Sequence, residues 1–485
     1  MSTVVRMKTV VCGRQRRGYS LRVGARVAGA VTAGMVVWAP MARATSLVPN
    51  PDPGLSTQAM ATMYAKDTGD SAGDALRRME IQQRAGGLPE ELQKALGTRY
   101  GGMWLDPASG EVRVGEVAEA DRPAIEAMLS RRGLQSASAA VPVRTPVRDL
   151  EAAEYQLRLE LRPLINSGSA TLGIDEPANQ VVVTLTPKAS SADRALAQKL
   201  SRDFAAGTSA YGPPLPPLNP TPAAGAAAAE TLAPQPARPV SADVAVRSGP
   251  EVQAGTLSCG SETCSLPLRA GVRIKAPGWG CSAGFVSTWW SGTETVFFIE
   301  DAGHCANDGG TNTWTSAPYP STTQQKIGKR WSWRFGVCCG EPSSQNGLVT
   351  FDAAIIEMNY AYYWTNVLTN GPLWMHGWPT GTEWTLNAEA RPYVGEYGCR
   401  SGASSSYSCG TVTDTDKVVL ASGVEIGNEL EVQGACASPG DSGGPFVDGG
   451  IALGVLSAGA TSGPCVTWYG KATDIKAWFG TSVYI

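Results

Sequence analysis

The chain has 485 residues, and its length and 43% share of hydrophobic residues are sufficient for roughly two to four domains. Its formal net charge is only −3, but the charge is unevenly distributed: from residue 255 onward, 12 Lys and Arg face 19 Asp and Glu, a balance of −7. A surface of that sign argues against a polyanionic partner such as nucleic acid.

Residues 1–44 have the pattern of an export signal. Five arginines between positions 14 and 26 precede an apolar run at 27–39, and Ala42-Arg43-Ala44 provides a small-x-small cleavage pattern. The run is too short for a comfortable membrane span, and no later segment is apolar enough for one. We expect a secreted, extracellular protein, and the Arg16-Arg17 pair leaves both general and twin-arginine export open.

Residues 45–205 predict an α+β region with two related lobes. The segment 105–114 is matched 69 positions later by 174–183, each with the pattern strand, turn, strand. Each is followed by a helical pattern, at 121–132 and 192–204. An unrelated N-terminal domain is the alternative interpretation.

Residues 206–257 are rich in Pro and Ala, which indicates an extended, solvated linker. Exposed linkers are the usual sites of proteolysis. We therefore expect a maturation region here, with the mature N-terminus somewhere between 206 and 257.

Residues 258–485 predict an all-β domain. Short apolar runs, separated by turn-forming residues, are found at 272–274, 296–300, 353–358, 418–420 and 451–456. A short helical pattern occurs at 473–479. A region of this size fits two packed antiparallel barrels that form one catalytic unit.

Ten of the eleven cysteines fall between Cys259 and Cys465, and Cys12 stands alone in the predicted signal. An even set confined to one region indicates disulfides formed in an oxidising compartment. A metal site fits less well, because paired Cys-x2-Cys motifs are absent and the chain has only two histidines. We expect neither a metal nor another cofactor.

The segment 435–446 reads Ala-Cys-Ala-Ser-Pro-Gly-Asp-Ser-Gly-Gly-Pro-Phe. Its glycines allow a tight turn that exposes the Ser442 hydroxyl and directs the N–H groups of Gly440 and Ser442 to one point. Such a pair of donors forms an oxyanion hole. A serine nucleophile also needs a base and an orienting acid.

His304 follows the apolar run 296–299 and is the candidate base, although a packed core histidine is the plainer reading of that residue alone. Asp352 begins a strand-like run and is the candidate acid. Asp301, three residues before His304, is a rival that could instead alter the pKa of His304. We give His376 no catalytic role.

Ala-Gly-His-Cys, Asp-Ala-Ala-Ile and Gly-Asp-Ser-Gly-Gly-Pro, in this order, resemble chymotrypsin-fold serine proteases. Gly-Cys-Arg-Ser-Gly at 398–402 and Ser-Cys-Gly-Thr-Val at 408–412 point to the streptogrisin/α-lytic branch. The resemblance implies an all-β, trypsin-like domain of two antiparallel six-stranded β-barrels, preceded by an α+β pro-domain. This branch usually has Thr or Ser at the position of Asp301, so that residue is a departure.

The resemblance also assigns the roles. Ser442 would be the nucleophile, His304 the general base and acid, and Asp352 the residue that orients His304. A buried Asp441 needs a partner, and the arginine of the Cys-Arg-Ser-Gly motif, Arg400, would supply it. A solvated surface position for Arg400 is the alternative.

Three disulfides follow from the same resemblance: Cys281–Cys305, Cys399–Cys409 and Cys436–Cys465. The remaining cysteines have no clear counterpart in the family. We favour cross-links from the 259/264 segment to the adjacent pair at 338 and 339.

The primary substrate pocket would have two uncharged walls, formed by Ala437, Ser438 and Pro439 and by Ser457, Ala458 and Gly459. Cys436 replaces the pocket-floor acid of trypsin-like enzymes, and Leu456 stands where glutamate-specific relatives have a histidine. An apolar or aromatic side chain is the expected guest, and Trp468 and Tyr469 would narrow the pocket and so favour smaller apolar residues.

The aromatic-rich stretch 360–384 fits packing between the barrels or an exposed patch for polymeric substrates. The sequence as a whole predicts a monomeric secreted serine endopeptidase made as a zymogen, with its own pro-region as folding helper and inhibitor. A catalytically silent binding protein on the same fold, or an esterase or acyl transferase with the same triad, are the alternatives.

Overall fold

The computed structural model describes residues 53–206, 242–249, 254–255, 264–265, 270–276, 279–292, 295–306, 313–316, 318–319, 325–336, 351–358, 372–374, 383–461 and 463–485. They belong to one compact unit that spans 51–485. The predicted signal 1–44, most of the linker 206–257, His376, most of 360–384 and the side chains of Cys259, Cys264, Cys338 and Cys339 lie outside the described residues.

The helices in the described part are α1 Pro53–Thr68, α2 Ala72–Ala85, α3 Leu88–Leu96, α4 Arg122–Arg131, α5 Val147–Asn166, α6 Ser191–Ala205, α7 Gly303–Ala306 and α8 Ala472–Phe479, with 3-10 turns at Gly97–Arg99 and Glu119–Asp121. The strands of the N-terminal region are β1 Tyr100–Leu105, β2 Val112–Glu116, β3 Ser138–Pro142, β4 Ala170–Asp175, β5 Gln180–Leu185 and β6 Val244–Ser248.

The strands that follow are β7 Ala254–Gly255, β8 Cys264–Ser265, β9 Arg273–Ala276, β10 Trp279–Ser282, β11 Val286–Trp290, β12 Thr295–Asp301, β13 Thr313–Ser316, β14 Pro318–Tyr319, β15 Gln325–Gly336 and β16 Phe351–Met358. The last ones are β17 Pro372–Trp374, β18 Glu383–Thr385, β19 Ala388–Glu389, β20 Tyr397–Gly402, β21 Ser406–Ala421, β22 Val424–Gln433, β23 Pro445–Asp448, β24 Ile451–Ala460, β25 Val466–Lys471 and β26 Ser482–Val483.

Each half of the N-terminal region builds the same small sheet. In the first, β1 and β2 form an antiparallel hairpin and β3 lies parallel to β2. In the second, β4 and β5 form the hairpin and β6 lies parallel to β5. Strand β6 falls within the region predicted as linker, where Val244 and Val246 pack on the same core and β5 offers an edge to pair with.

Helices α2, α5 and α6 have sequence signals that explain their positions. Ser71 caps α2 by accepting the Asp74 N–H, and Ser190 and Asp193 form a capping box at the start of α6. In α5, Leu150, Leu157 and other apolar residues recur at helical spacing and bury one face against β4 and β5.

The first barrel of the C-terminal part is a sheet in the order β10-β9-β13-β15-β16-β12-β11-β26. Its neighbours pair antiparallel. Side chains such as Ile274, Ile299 and Ile356 point into its core. Strands β12 and β16 lie side by side in this sheet. The candidate base, His304, follows shortly after β12, and the candidate acid, Asp352, lies on β16.

The second barrel is a closed ring of six antiparallel strands, β20-β23-β24-β25-β22-β21, because β20 also pairs with β21. Phe446, Leu430 and Tyr469 are among its core residues. The predicted fold class, an all-β domain of two barrels after an α+β region, is confirmed.

The N-terminal region continues the sheet of the second barrel. Strand β4 pairs antiparallel with β21, where Leu172 lies opposite Val418, so β4, β5 and β6 extend that sheet. Helix α1 packs Met60 and Tyr64 into a core shared with Tyr397 of β20. Among the described residues, no helix has the length and apolar character needed to span a membrane.

Candidate active site

The candidate base lies on the short helix α7, directly after β12. His304 is 8% exposed. A Cβ built on the preceding Gly303 would lie 1.5 Å from the Arg334 carbonyl oxygen of β15, so this tight entry into α7 requires glycine. Strand β12 and the glycine together fix where the imidazole begins.

Asp352 on β16 holds His304 at two points. His304 Nδ1 lies 2.6 Å from Asp352 Oδ2, and the His304 backbone N–H donates to Oδ1, also at 2.6 Å. The carboxylate is fully buried. A buried acid on Nδ1 leaves Nε2 as the nitrogen that can accept a proton, the arrangement that a general base requires.

Ser457 on β24 provides the third bond to this carboxylate. Its hydroxyl donates to Asp352 Oδ2 at 2.8 Å, and both groups are fully buried. From its sequence position, Ser457 is predicted only as part of the pocket wall. A hydroxyl at a bulge of a buried strand is a weak signal, and pairing across 105 residues cannot be read from it.

Ser442 lies in the turn between β22 and β23, and its neighbours adopt glycine backbone shapes. Gly440 has φ +99° and Gly443 has φ +84°. Ser282 of β10 clamps this turn twice, because its N–H donates to the Ser442 carbonyl at 2.7 Å and its hydroxyl to the Gly440 carbonyl at 2.8 Å. The backbone N–H of Gly440 itself donates to no group among the described residues.

The turn that carries Ser442 packs directly on the strand that leads to His304. A Cβ built on Gly443 would lie 2.0 Å from Asp301 Oδ1, at the end of β12. The rival acid Asp301 makes its hydrogen bond to the Ala302 N–H, at 2.8 Å, and not to the imidazole. Of the two candidate acids, Asp352 is therefore the one bonded to His304.

Arg400 and Asp441 form a buried ion pair behind the turn. Arg400 Nη1 lies 3.2 Å from Asp441 Oδ2, and their side chains are 1% and 0% exposed. Asp441 also accepts the N–H groups of Ser404, Ser405 and Ser438 at 2.8 to 3.0 Å. A buried carboxylate needs such a set of donors, and here they tie the turn to the loop after β20.

Three disulfides link the segments around the site: Cys281–Cys305, Cys399–Cys409 and Cys436–Cys465. The first joins β10 to the helix that carries His304. Ligand atoms of Cys281, His304 and Cys305 lie within 4.8 Å of one another, a spacing that a metal site could use. Because the two sulfurs are bonded to each other, they are not thiolate ligands, and the trio does not fit a metal ion.

The predicted pocket walls differ in exposure. Ser457, Ala458 and Gly459 are buried in β24, whereas Pro439 on the opposite wall is exposed. Trp468 packs with Ala458, and Tyr469 packs on Phe446 in the barrel core, with ring centroids 4.7 Å apart.

Strand β7 lies on the edge of this pocket wall. Gly255 is opposite Gly459 and Ala254 opposite Ala460, antiparallel to β24. Ala254 also pairs with Ala421 of β21 on its other side. A short piece of chain that precedes the predicted protease domain is thus held as an added strand on β24.

Two comparisons with known proteins match parts of the chain. Residues 73–128 match the family described as Alpha-lytic protease pro N-terminal. Serine protease 2 of Streptomyces fradiae is 29% identical over 202 residues, which cover 41% of this chain and 98% of that protein.

Two solved structures are similar to part of the chain. A glutamic-acid-specific serine protease with a histidine triad in substrate binding is 24% identical, with 44% of this chain and 99% of that chain covered and a TM-score of 0.35. Nocardiopsis protease (NAPase) is also 24% identical, with 45% and 99% covered and a TM-score of 0.34. Residues 73–128 are therefore similar to the pro-region of α-lytic protease, and the chain is similar over 202 residues to a serine protease of Streptomyces.

Proposed function

We propose that the chain is the precursor of a secreted serine endopeptidase with Ser442, His304 and Asp352 as its catalytic triad. The observation that carries this is the fully buried Asp352, which accepts bonds from the His304 ring, the His304 backbone and Ser457. An acid held in this way fixes the tautomer of the imidazole and stabilises its protonated form.

The proposed reaction uses these three residues in the following order. His304 Nε2 takes the proton of Ser442 as the hydroxyl oxygen attacks the substrate carbonyl carbon. The resulting oxyanion accepts hydrogen bonds from the Gly440 and Ser442 N–H groups, each typically worth about 3 kcal/mol in the transition state. His304 then gives its proton to the leaving amine, and water repeats the sequence on the acyl-enzyme.

The test is reaction with a serine-directed phosphonate and hydrolysis of a peptide amide. The secreted, processed protein should be labelled at Ser442 and should turn over the amide, and the variants Ser442→Ala and His304→Ala should lose activity by a factor of about 10⁴ or more. Absence of labelling would favour a silent binding protein, and turnover of esters without amides would favour an esterase.

For specificity we propose small or medium apolar residues at the position before the cut. Both walls are uncharged, Ser457 is bonded to Asp352, and the Arg400–Asp441 ion pair behind the turn is buried. In a series of peptide nitroanilides, kcat/KM should be highest for Ala, Val or Leu and at least about 100-fold lower for Lys and Glu. A preference for Glu or Lys would contradict this assignment.

We also propose that the enzyme matures by cutting its own chain directly after β7. The pairing of Gly255 with Gly459 supports this, because it aligns the preceding segment with the edge that should receive substrate. N-terminal sequencing of the secreted enzyme should find Thr256, Leu257 or Ser258 as the first residue. The N-terminal lobes then act as folding helper and inhibitor, and residues 255–485 expressed alone should refold poorly until that piece is added.

A further inference from the structure

Asp301 ends β12 in a fully buried position, three residues before His304. Its Oδ1 accepts the Ala302 N–H at 2.8 Å, and its Oδ2 has no hydrogen-bond partner in the described part of the chain. No cation is paired with it among the described residues. A carboxyl group in such a place must be either an unpaired buried charge or a neutral acid.

The same carboxyl group touches the nucleophile turn. The Gly443 Cα lies so close that a Cβ there would be 2.0 Å from Asp301 Oδ1 and 2.3 Å from the Ser282 carbonyl oxygen. Gly443 follows Ser442 directly, and its N–H donates to the Leu456 carbonyl at 2.8 Å. The turn therefore packs against the Asp301 carboxyl group.

The groups packed around Asp301 favour its neutral form. Burial raises its pKa well above the usual value for aspartate; the Ala302 N–H bond acts against this, and the charge of Asp352 on β16 raises the pKa further. Next to Asp352 lies Glu429 of β22, another buried carboxyl whose pKa is raised, first by burial and then by Asp352. The cation of the turn, Arg400, is engaged by Asp441.

On the basis of the function proposed above, we propose that Asp301 is a positioning residue that works as a neutral carboxylic acid, supporting Gly443 and the turn of Ser442. Its ionised form would place an unpaired negative charge beside the turn whose N–H groups must stabilise an oxyanion. Like charges repel most strongly in a water-free site, so ionisation of Asp301 lowers the rate of the chemical step.

The experiment compares pH profiles of kcat and KM, from about pH 5 to about pH 10, for enzymes obtained from the full-length chain. Wild type should show an alkaline loss of kcat on the order of tenfold. Asp301→Asn, which copies the neutral acid in shape, should keep the neutral-pH rate, the acid limb set by His304 and a flat alkaline side. Asp301→Ala should lower kcat at neutral pH with little change in KM, because Gly443 loses its support.

Glu300→Gln is the matched control. Glu300 is the adjacent residue of the same strand and equally buried, but the groups that act on its charge are Glu389 and Lys476. The Glu300→Gln substitution should leave the acid and alkaline limbs of the kcat profile at the same pH as in the wild type. Asp301→Thr is a second non-ionisable variant and should flatten the alkaline side even if the Asn variant accumulates poorly.

Two results would overturn the proposal. An acid limb displaced downward by about one pH unit in Asp301→Asn would show that Asp301 is charged at neutral pH and acts on His304. An alkaline limb that is the same in wild type and in the Asn and Thr variants would show that its ionisation does not reach the site. Failure of the protease assignment is separate, because wild-type enzyme would then show neither amide turnover nor labelling of Ser442.

Discussion

At the scale of single residues, the site depends on buried polar groups that each have several partners. Asp352 accepts from three donors, and Asp441 accepts from three backbone N–H groups besides its ion pair with Arg400. Removing one partner of such a group costs more than the bond itself, because the charge that remains is buried and undersolvated.

Ser457→Ala tests the bond that the sequence analysis did not find. A hydrogen bond to a charged acceptor contributes roughly 2 kcal/mol, so kcat should fall by a factor of roughly 10 to 30. KM for a short substrate should change less, because the backbone of Ser457 stays in place. Thr413→Ala, which removes an exposed hydroxyl on β21, should have no effect, and an unchanged kcat in Ser457→Ala would contradict the role assigned to the bond.

Arg400→Met tests the ion pair behind the turn. The variant leaves Asp441 buried without its cation, a change that typically costs about 3–5 kcal/mol, so the thermal midpoint and the rate of phosphonate labelling should both fall. In the double variant Arg400→Met/Asp441→Asn the charge is gone, and much of the stability should return. Calorimetry of the three proteins measures this, and a double variant no more stable than the single one would argue against an unpaired charge as the cause.

At the scale of elements, the structure shows how helix α2 docks on the second barrel. The Gln82 side chain bonds to both backbone groups of Tyr397, as a neighbouring strand would. Its Nε2 donates to the Tyr397 carbonyl at 2.5 Å, and its Oε1 accepts the Tyr397 N–H at 2.7 Å. Gln82 is fully buried. A helix thereby satisfies both backbone groups of a β20 residue that lies 315 positions away in the chain.

Gln82→Ala should therefore lower the yield of active enzyme from the full-length chain. The buried N–H and carbonyl of Tyr397 would lose their partners, at a cost of roughly 1–3 kcal/mol each. Gln83→Ala, on the more exposed side of the same helix, is the control and should leave the yield unchanged. The specific activity of the processed enzyme should be the same for all three proteins, since residue 82 lies in the region that the proposed maturation removes. Altered activity of the processed enzyme would contradict a role limited to docking.

At the scale of the whole molecule, an acidic cluster lies where helix α5 and β4 meet the second barrel. Burial raises the pKa of Glu154 to about 8 and those of Glu151 and Glu176 to about 7, although Arg158 and Arg391 act against this. On the barrel side, burial raises the pKa of Asp414 to about 7.

These shifts predict that the N-terminal region binds more tightly in acid. In the free N-terminal region these acids have an ordinary pKa of about 4.3 and lose their protons above that pH. In the bound state the pKa is raised, so the same acids keep their protons to higher pH. The bound state therefore gains stability below about pH 4.3 and loses it progressively as the pH rises to about 7–8. Asp416, whose pKa is lowered by Lys471 and Arg391 despite burial, titrates below this window.

Release of the cut N-terminal region from the processed enzyme measures the effect. At constant salt, its affinity should be at least about tenfold weaker at pH 8 than at pH 5. Glu154→Gln, which is neutral at every pH, should flatten the dependence, and Glu126→Gln, at an exposed position on α4, should not. Equal or tighter binding at pH 8 in the wild type would contradict the prediction.

The local features of this protein can be predicted from its amino-acid sequence alone. The strands predicted at 296–300 and 353–358 and the helix at 473–479 agree with β12, β16 and α8 to within two residues. Binary pattern and capping residues act over a few positions, so they can be read without a structure. His304, Asp352 and Ser442 also stood out, because turn-forming glycines and short motifs mark them locally.

Contacts between residues that are distant in the chain can be identified from the folded structure but not from the sequence. The bond of Ser457 to Asp352, the contact of Asp301 with Gly443, the Gln82 bridge to Tyr397 and the pairing of β7 with β24 join parts of the chain that lie far apart. No periodicity encodes such contacts. They form because two barrels and two lobes bury their apolar faces together and then require each enclosed polar group to find a partner.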